Sequence, residues 1–155
     1  MLSDLDTVWS FFSRLENLNR ITPKDIKFDI SSNIDGVEMY QGMLFRYRVS
    51  PFPLLPTNWL TEITAMEKYR YFIDEQRNGP YRLWHHEHRF DQQRDGILVT
   101  DNLHYVLPFG WIGQLVNQAV VRKRIDDIFT YRKETINHLF SGSNAIGRSP
   151  QSKPV

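Results

Sequence analysis

The chain has 155 residues, no cysteine and a formal net charge of +1, with 19 lysines and arginines against 18 aspartates and glutamates. This length suits one domain, and the composition excludes disulfides, thiolate metal ligands and cysteine nucleophiles. The balanced charge gives no general field to attract nucleic acid, and no apolar run is long enough for a membrane span. We therefore expect a cytoplasmic domain with neither nucleic acid nor membrane as a partner.

The N-terminal segment is predicted to be helical. Residues 3–14 form the first helix, where Ser3 and Asp4 can cap the free amides. Pro23 suits the first turn of a second, shorter helical piece. The apolar residues of the first helix fall on one face, as expected for a helix that packs on a core: Leu5, Val8, Trp9 and Phe12.

From residue 26 the apolar period changes from about 3.6 to 2, which indicates strands. Asn78-Gly79-Pro80 marks a turn, and Asp95-Gly96 is typical of a two-residue hairpin loop. Prolines break the ladder between two of the segments, at positions 51, 53 and 56. The predicted strands cover residues 26–30, 43–49, 59–63, 71–76, 81–91 and 97–107.

The last third returns to a helical period. Residues 112–140 form one long helix with a continuous apolar stripe, and we expect its basic residues to form a solvated face: Arg122, Lys123, Arg124, Arg132 and Lys133. Residues 141–155 are rich in Ser, Gly, Asn and Pro and are predicted to be a disordered tail. Only the long helix can cover the apolar face of the sheet, so we predict an α+β domain over residues 1–140.

The hairpin sorts the side chains of its two strands by face. If Asp95-Gly96 is the loop, Arg94 pairs with Ile97, and the more apolar face turns toward the helix. On the outer face, Glu87 and His104 then form a cross-strand surface pair. The inner face carries Trp84, His86, His88, Phe90, Asp101, Leu103, Tyr105 and Leu107.

Three interpretations of His86 and His88 remain open. They are core histidines bonded to Tyr105, Asp101 or water; or they orient a guest in an otherwise apolar cavity; or they ligate a metal, with Asp101 or Asp74 as third ligand. His-x-His spacing alone is not diagnostic, so we predict neither a metal nor a cofactor.

Several motifs taken together resemble a bacterial branch of the START-like superfamily, also called SRPBCC, which includes polyketide cyclases and lipid-transfer domains. The resemblance covers about residues 4 to 140, and its motifs are Val8-Trp9-x-Phe11-Phe12, Ile21-Thr22-Pro23, Phe72-Ile73-Asp74-Glu75-Gln76, Trp84-x-His86-x-His88-x-Phe90 and Asp101-x-Leu103-x-Tyr105-x-x-Pro108-Phe109-Gly110. It implies a helix-grip fold with a cavity between the sheet and the long helix, and ligand binding as the generic role.

The resemblance also implies a strand before the first helix, and we expect that strand to be absent here because Met1 lies almost at the helix. Either the start of the chain is shortened or the sheet has an unpaired edge. An unpaired sheet edge would then be open to a partner, which makes a homodimer through that edge an expectation.

From the sequence we thus predict a domain that binds a small hydrophobic or amphipathic molecule rather than one that catalyses a reaction. The alternative is a cyclase- or hydratase-type enzyme that uses a cavity histidine as acid and base. The predicted ligand-binding residues are Tyr47, Trp59, Phe72, Trp84, His86, His88, Phe90, Asp101, Leu103 and Tyr105.

Overall fold

The computed structural model describes residues 3–26, 28–32, 36–50, 56–108, 120–140 and 151–154. Its helices are α1 (Leu5–Phe12), two 3-10 helices (Leu15–Ile21 and Lys24–Ile26) and α2 (Arg122–Leu139). Its strands are β1 (Asp29–Ile30), β2 (Leu44–Val49), β3 (Thr57–Glu67), β4 (Tyr71–Asn78), β5 (Leu83–Gln93), β6 (Gly96–Val106) and β7 (Gln151–Pro154). The first part of the predicted long helix, residues 112–119, lies outside the described residues, as do the loop prolines at 51 and 53.

Strands β1 to β6 form one curved antiparallel sheet in chain order, with α2 and the short N-terminal helices on it. The predicted α+β, helix-grip class is therefore confirmed. Strand β7 pairs in parallel with β6. It lies in the segment predicted to be a disordered tail, where no strand was expected; residues 141–150 of that segment lie outside the described part of the chain.

The register of the β5–β6 hairpin differs from the prediction by two residues. Gln93 pairs with Gly96, so the loop is Arg94-Asp95 rather than Asp95-Gly96. Gly96 has a φ of 129°, which an L side chain rarely adopts, so glycine is needed just after the loop. Glu87 therefore accepts a hydrogen bond from Asn102 at 3.1 Å, and the predicted pair with His104 is wrong.

A shift of two residues keeps every side chain on its face, because strand side chains alternate with a period of two. His86 lies opposite Leu103, and His88 lies opposite Asp101. The predicted sorting of the two faces is thus correct even though the predicted pairs are not.

Helix α1 is capped and buried as its sequence predicts. The Asp4 side chain accepts a hydrogen bond from the Thr7 backbone N–H at 2.8 Å. Trp9 is fully buried and makes edge-to-face contacts with Phe72 and Phe90 of the sheet. These contacts fix α1 across one end of the inner face, since burying so large a side chain stabilises the fold by about 3 kcal/mol.

The strand predicted to start at Ile26 starts later. The Ile26 backbone N–H donates to the Pro23 carbonyl at 3.0 Å, which closes a 3-10 turn. β1 is therefore only Asp29–Ile30, and the Ile26 side chain packs against Val49 and Trp59 instead of continuing a strand.

Helix α2 closes the other part of the inner face. Ile125 and Phe129 pack with Leu103 and Tyr105 of β6. Ile136, further along the same helix, belongs to the core cluster that contains α1. Among the described residues, no helix combines the length and apolar character that crossing a membrane requires.

Candidate functional site

A cavity of about 160 Å³ lies between the inner face of the sheet, helix α2 and the N-terminal helices. Most of its wall is apolar and comes from three parts of the chain. The N-terminal helices contribute Phe11, Phe12, Leu15, Leu18 and Ile21; the strands contribute Phe45, Tyr47, Val49, Trp59, Ile63, Phe72 and Trp84; and the last helix and the residue before it contribute Val121, Ile125 and Ile128.

Aromatic rings hold one wall of the cavity in place. Trp59 stacks on Tyr47 with ring centroids 5.6 Å apart and meets Trp84 edge-to-face at 5.1 Å. The Thr61 hydroxyl donates to the Tyr47 hydroxyl at 3.3 Å. Burial raises the pKa of Tyr47 well above its usual range, against the opposing effect of the Thr61 hydrogen bond, so its phenol stays neutral.

Four ionisable side chains from three adjacent strands meet at the inner face: Asp74 of β4, His86 and His88 of β5, and Asp101 of β6. The Asp74 Oδ2 atom lies 3.3 Å from His86 Nδ1 and 3.0 Å from His88 Nε2. The Asp101 Oδ1 atom lies 3.2 Å from His86 Nε2 and 2.7 Å from His88 Nδ1. Each imidazole thus lies between two carboxylates, one at each ring nitrogen.

Two sides of this cluster differ in hydrogen bonding. His88 Nε2 and Asp74 Oδ2 form a hydrogen bond. On the Asp101 side the atoms are close but poorly aligned, so His86 Nε2, His88 Nδ1 and Asp101 Oδ1 have no hydrogen-bond partner in the described part of the chain. Buried polar atoms without a hydrogen-bond partner are rare, and these three atoms are held by ion-pair contact with one another instead.

Ring contacts fix both imidazoles. His88 stacks on Phe72 at 4.2 Å, His86 meets Phe129 of α2 edge-to-face at 5.5 Å, and the two imidazole centroids are 3.9 Å apart. Both histidines are buried, so the expectation that they turn toward the helix is confirmed.

The carboxylates control the protonation of the cluster. Burial opposes the charge on His86, but Asp74 and Asp101 outweigh it and raise the pKa of His86 to about 9. Burial likewise opposes the charges of the two carboxylates, yet His86 and His88 hold the pKa of Asp74 and of Asp101 well below the usual range. His86 is therefore a cation at neutral pH, and both carboxyl groups are ionised.

Six of the ten predicted ligand-binding residues line the cavity: Tyr47, Trp59, Phe72, Trp84, His86 and His88. The other four lie elsewhere on the inner face. Phe90 packs against Trp9 of α1 at 5.2 Å, and Leu103 and Tyr105 pack under α2. Asp101 lies behind the imidazoles, on the side away from the cavity. Helices α1 and α2 cover these parts of the inner face, so the four side chains belong to the packed core and not to the cavity wall.

Arg132 was predicted on the solvated face of the last helix, and this prediction is wrong. Arg132 lines the cavity, with its guanidinium 5.5 Å from the centre of the Phe129 ring. The spacing of the apolar stripe contains the signal, because Ile125, Phe129, Arg132 and Ile136 follow at steps of four, three and four. Arg124 also lines the cavity and pairs with Asp25 at 2.6 Å.

Comparisons with known proteins identify the fold and not the family. No protein-family model matches the chain, and no curated protein matches it. Solved structures do match. TTHA0849 from Thermus thermophilus aligns with a TM-score of 0.62 at 15% identity, over 91% of this chain and 94% of that chain. Ms6760 from Mycobacterium smegmatis aligns with a TM-score of 0.59 at 13% identity, over 94% and 88%. A Staphylococcus epidermidis protein, structural-genomics target SeR147, aligns with a TM-score of 0.57 at 10% identity, over 93% and 89%. The chain thus shares its fold over nearly its whole length with these three proteins.

Proposed function

We propose that this protein binds a small, mainly apolar molecule about the size of one aromatic ring, with one polar end. The observation that carries the proposal is the cavity of about 160 Å³ between the sheet and α2. In another protein, an apolar cavity of about 150 Å³ binds benzene. The resemblance to START-like domains, in which ligand binding is the generic role, supports the same proposal.

The size of the cavity sets the expected affinity. A single ring buries about 200 Å² of apolar surface, which is worth about 5 kcal/mol at about 25 cal/mol per Å². Before the ordering costs are subtracted, that energy corresponds to a dissociation constant of about 0.2 mM. One charge-assisted hydrogen bond at the polar end would add about 1.5–3 kcal/mol and bring the dissociation constant to about 1–20 µM.

The cations at the cavity wall favour a carboxylate or another anionic group as the polar end. Arg14 and Arg124 are paired with Glu16 and Asp25. Arg132 forms no ion pair with any carboxylate among the described residues, and its Nε has no hydrogen-bond partner there. A ligand carboxylate would supply that partner without displacing an existing ion pair.

Native mass spectrometry of the protein purified from its own host tests the proposal. We expect a retained small molecule that is lost after unfolding and refolding. The refolded protein should then bind benzoate more tightly than toluene, measured by isothermal titration calorimetry. A refolded protein that binds neither compound at millimolar concentration would contradict the proposal.

An enzyme that uses a cavity histidine as acid and base is the second candidate, favoured by the contact of His86 with Asp74 at the cavity wall. The two candidates differ in one respect. Replacing His86 with Gln weakens retention of the ligand modestly in a binding protein but abolishes conversion in an enzyme. The readout is mass spectrometry of the retained molecule after prolonged incubation with the wild-type protein and with the variant.

A further inference from the structure

We propose that Asp74, His86 and His88 form a binding site for a divalent transition-metal ion, with Asp101 as the group that orients both imidazoles. One potential ligand atom from each of Asp74, His86 and His88 lies within 4.8 Å of the others. Two imidazoles and one carboxylate are a common ligand set for such ions, and leave coordination positions open. The inference does not rest on the proposed function.

The spacing of the ligand atoms fits a metal at the centre. In a tetrahedral site with bonds of about 2.0–2.1 Å, neighbouring ligand atoms lie about 3.3 Å apart. The Asp74 Oδ2 atom lies 3.3 Å from His86 Nδ1 and 3.0 Å from His88 Nε2. Both distances from Asp74 are close to this spacing, and one ligand atom of each residue lies within 4.8 Å of the others, so side-chain shifts can bring the three atoms around one ion.

Asp101 occupies the position of a supporting group. Metal-bound histidines almost always donate their other ring N–H to a carboxylate, a carbonyl or water, which fixes the ring orientation. Here the ring nitrogens that face away from Asp74 lie 3.2 Å and 2.7 Å from Asp101 Oδ1, and none of these three atoms makes a hydrogen bond within the described residues. A metal on the Asp74 side would turn both rings, and the same movement can align their N–H groups with Asp101.

The location of the three ligands determines what a bound ion would face. Asp74, His86 and His88 line the cavity, whereas Asp101 does not. The open coordination positions would therefore point into an apolar chamber, where an anionic group of a small molecule can complete the ligand set. No metal was predicted from the sequence, because His-x-His spacing is not diagnostic and neither Asp101 nor Asp74 has a spacing that marks it as the third ligand. The pairing of Asp74 with His86 across β4 and β5 supplies that ligand.

Metal titration of the full chain after treatment with a chelator tests the proposal. We expect one equivalent of Zn²⁺ to bind in competition with a chromophoric chelator, and one equivalent of Co²⁺ to give the visible absorption of a four- or five-coordinate ion. Asp74→Asn should abolish binding. Asp101→Asn should weaken it about 10- to 100-fold, as expected for a group that orients the ligands.

His85 provides a matched control on the same strand. It pairs with Glu75 at 2.7 Å on the outer face, so His85→Gln removes a histidine–carboxylate pair that is not part of the site. This variant should bind Zn²⁺ like the wild type. If His85→Gln abolishes binding, or if Asp101→Asn loses as much affinity as Asp74→Asn, the assignment of the ligands is overturned.

A measurement on the wild-type protein keeps the test independent of how the variants fold. X-ray absorption at the zinc edge should show two imidazole ligands and oxygen for the remainder. A spectrum without imidazole scattering, or failure of the wild type to bind one equivalent of either ion at about 0.1 mM, overturns the proposal.

Discussion

Raising the pH from about 6 to about 9.5 should destabilise the metal-free protein through His86. The unfolded pKa of histidine is about 6.5. Burial lowers the pKa of His86 in the folded protein, but the adjacent Asp74 and Asp101 carboxylates outweigh it and raise the pKa to about 9. The stabilisation that comes from a raised pKa is fully present below the pKa of the unfolded chain. It is lost as the pH rises through the pKa of the folded protein. The difference of about 2.5 units corresponds to about 3 kcal/mol of unfolding free energy.

The two carboxylates do not change the pH range over which the stabilisation by His86 is lost. Their pKa values are lowered in the folded protein, so their contribution is present above the unfolded value of about 3.9 and is lost only in acid. Stability carried by the cluster should therefore be greatest between about pH 4 and about pH 6.5.

Urea unfolding followed by tryptophan fluorescence, at about pH 6 and about pH 9.5 in the presence of a chelator, measures the loss. His86→Gln should remove most of the pH dependence, whereas His85→Gln on the outer face should keep it. A wild-type unfolding free energy that changes by less than about 1 kcal/mol across this range would show that the carboxylates do not stabilise the His86 cation. An equal loss of unfolding free energy in the His86→Gln variant would show the same.

Three further predictions concern the cavity. Ile125→Trp should fill the cavity and abolish toluene binding measured by calorimetry, while the thermal midpoint falls by only a few degrees; unchanged binding contradicts the location of the site. Leu103→Ala, at a buried position outside the cavity wall, should cost about 2–4 kcal/mol of unfolding free energy in urea with toluene affinity retained, and a lost affinity would be inconsistent with this placement. Arg132→Leu should weaken benzoate binding about tenfold but leave toluene binding unchanged, because it removes the cavity-wall cation that has no carboxylate partner among the described residues; equal effects on both compounds argue against that role.

The class of the fold was predictable because the apolar period changes along the chain. The assignment of side chains to the two sheet faces does not change when the register shifts by two residues. The shift in the β5–β6 hairpin therefore leaves His86, His88 and Asp101 on the predicted face. The shift itself was harder to predict. Asp95-Gly96 fits a two-residue loop, but it equally fits the last residue of a loop followed by the first residue of a strand. The pairing of Gln93 with Gly96 in the folded sheet separates the two arrangements.

The composition of the cavity wall was only partly predictable. Side chains on one sheet face can be listed from alternation, but which of them line a void depends on where the helices lie. Phe90 and Leu103 share the inner face with His86, yet α1 and α2 cover them. Arg132 was misplaced because its charge was given more weight than its position on the apolar stripe. In a cavity, a cation can occupy that stripe without being buried in apolar packing.

The indole N–H signals of the tryptophans show whether a small apolar molecule enters the cavity. Trp59 and Trp84 line the cavity, whereas Trp9 lies in the core, where its indole donates to Glu38 at 3.3 Å. In a titration with toluene, followed by proton–nitrogen correlation spectra, the signals of Trp59 and Trp84 should shift and saturate while the signal of Trp9 stays in place. If no indole signal moves at millimolar toluene, or if Trp9 moves as far as the other two, the cavity between the sheet and α2 is not a binding site.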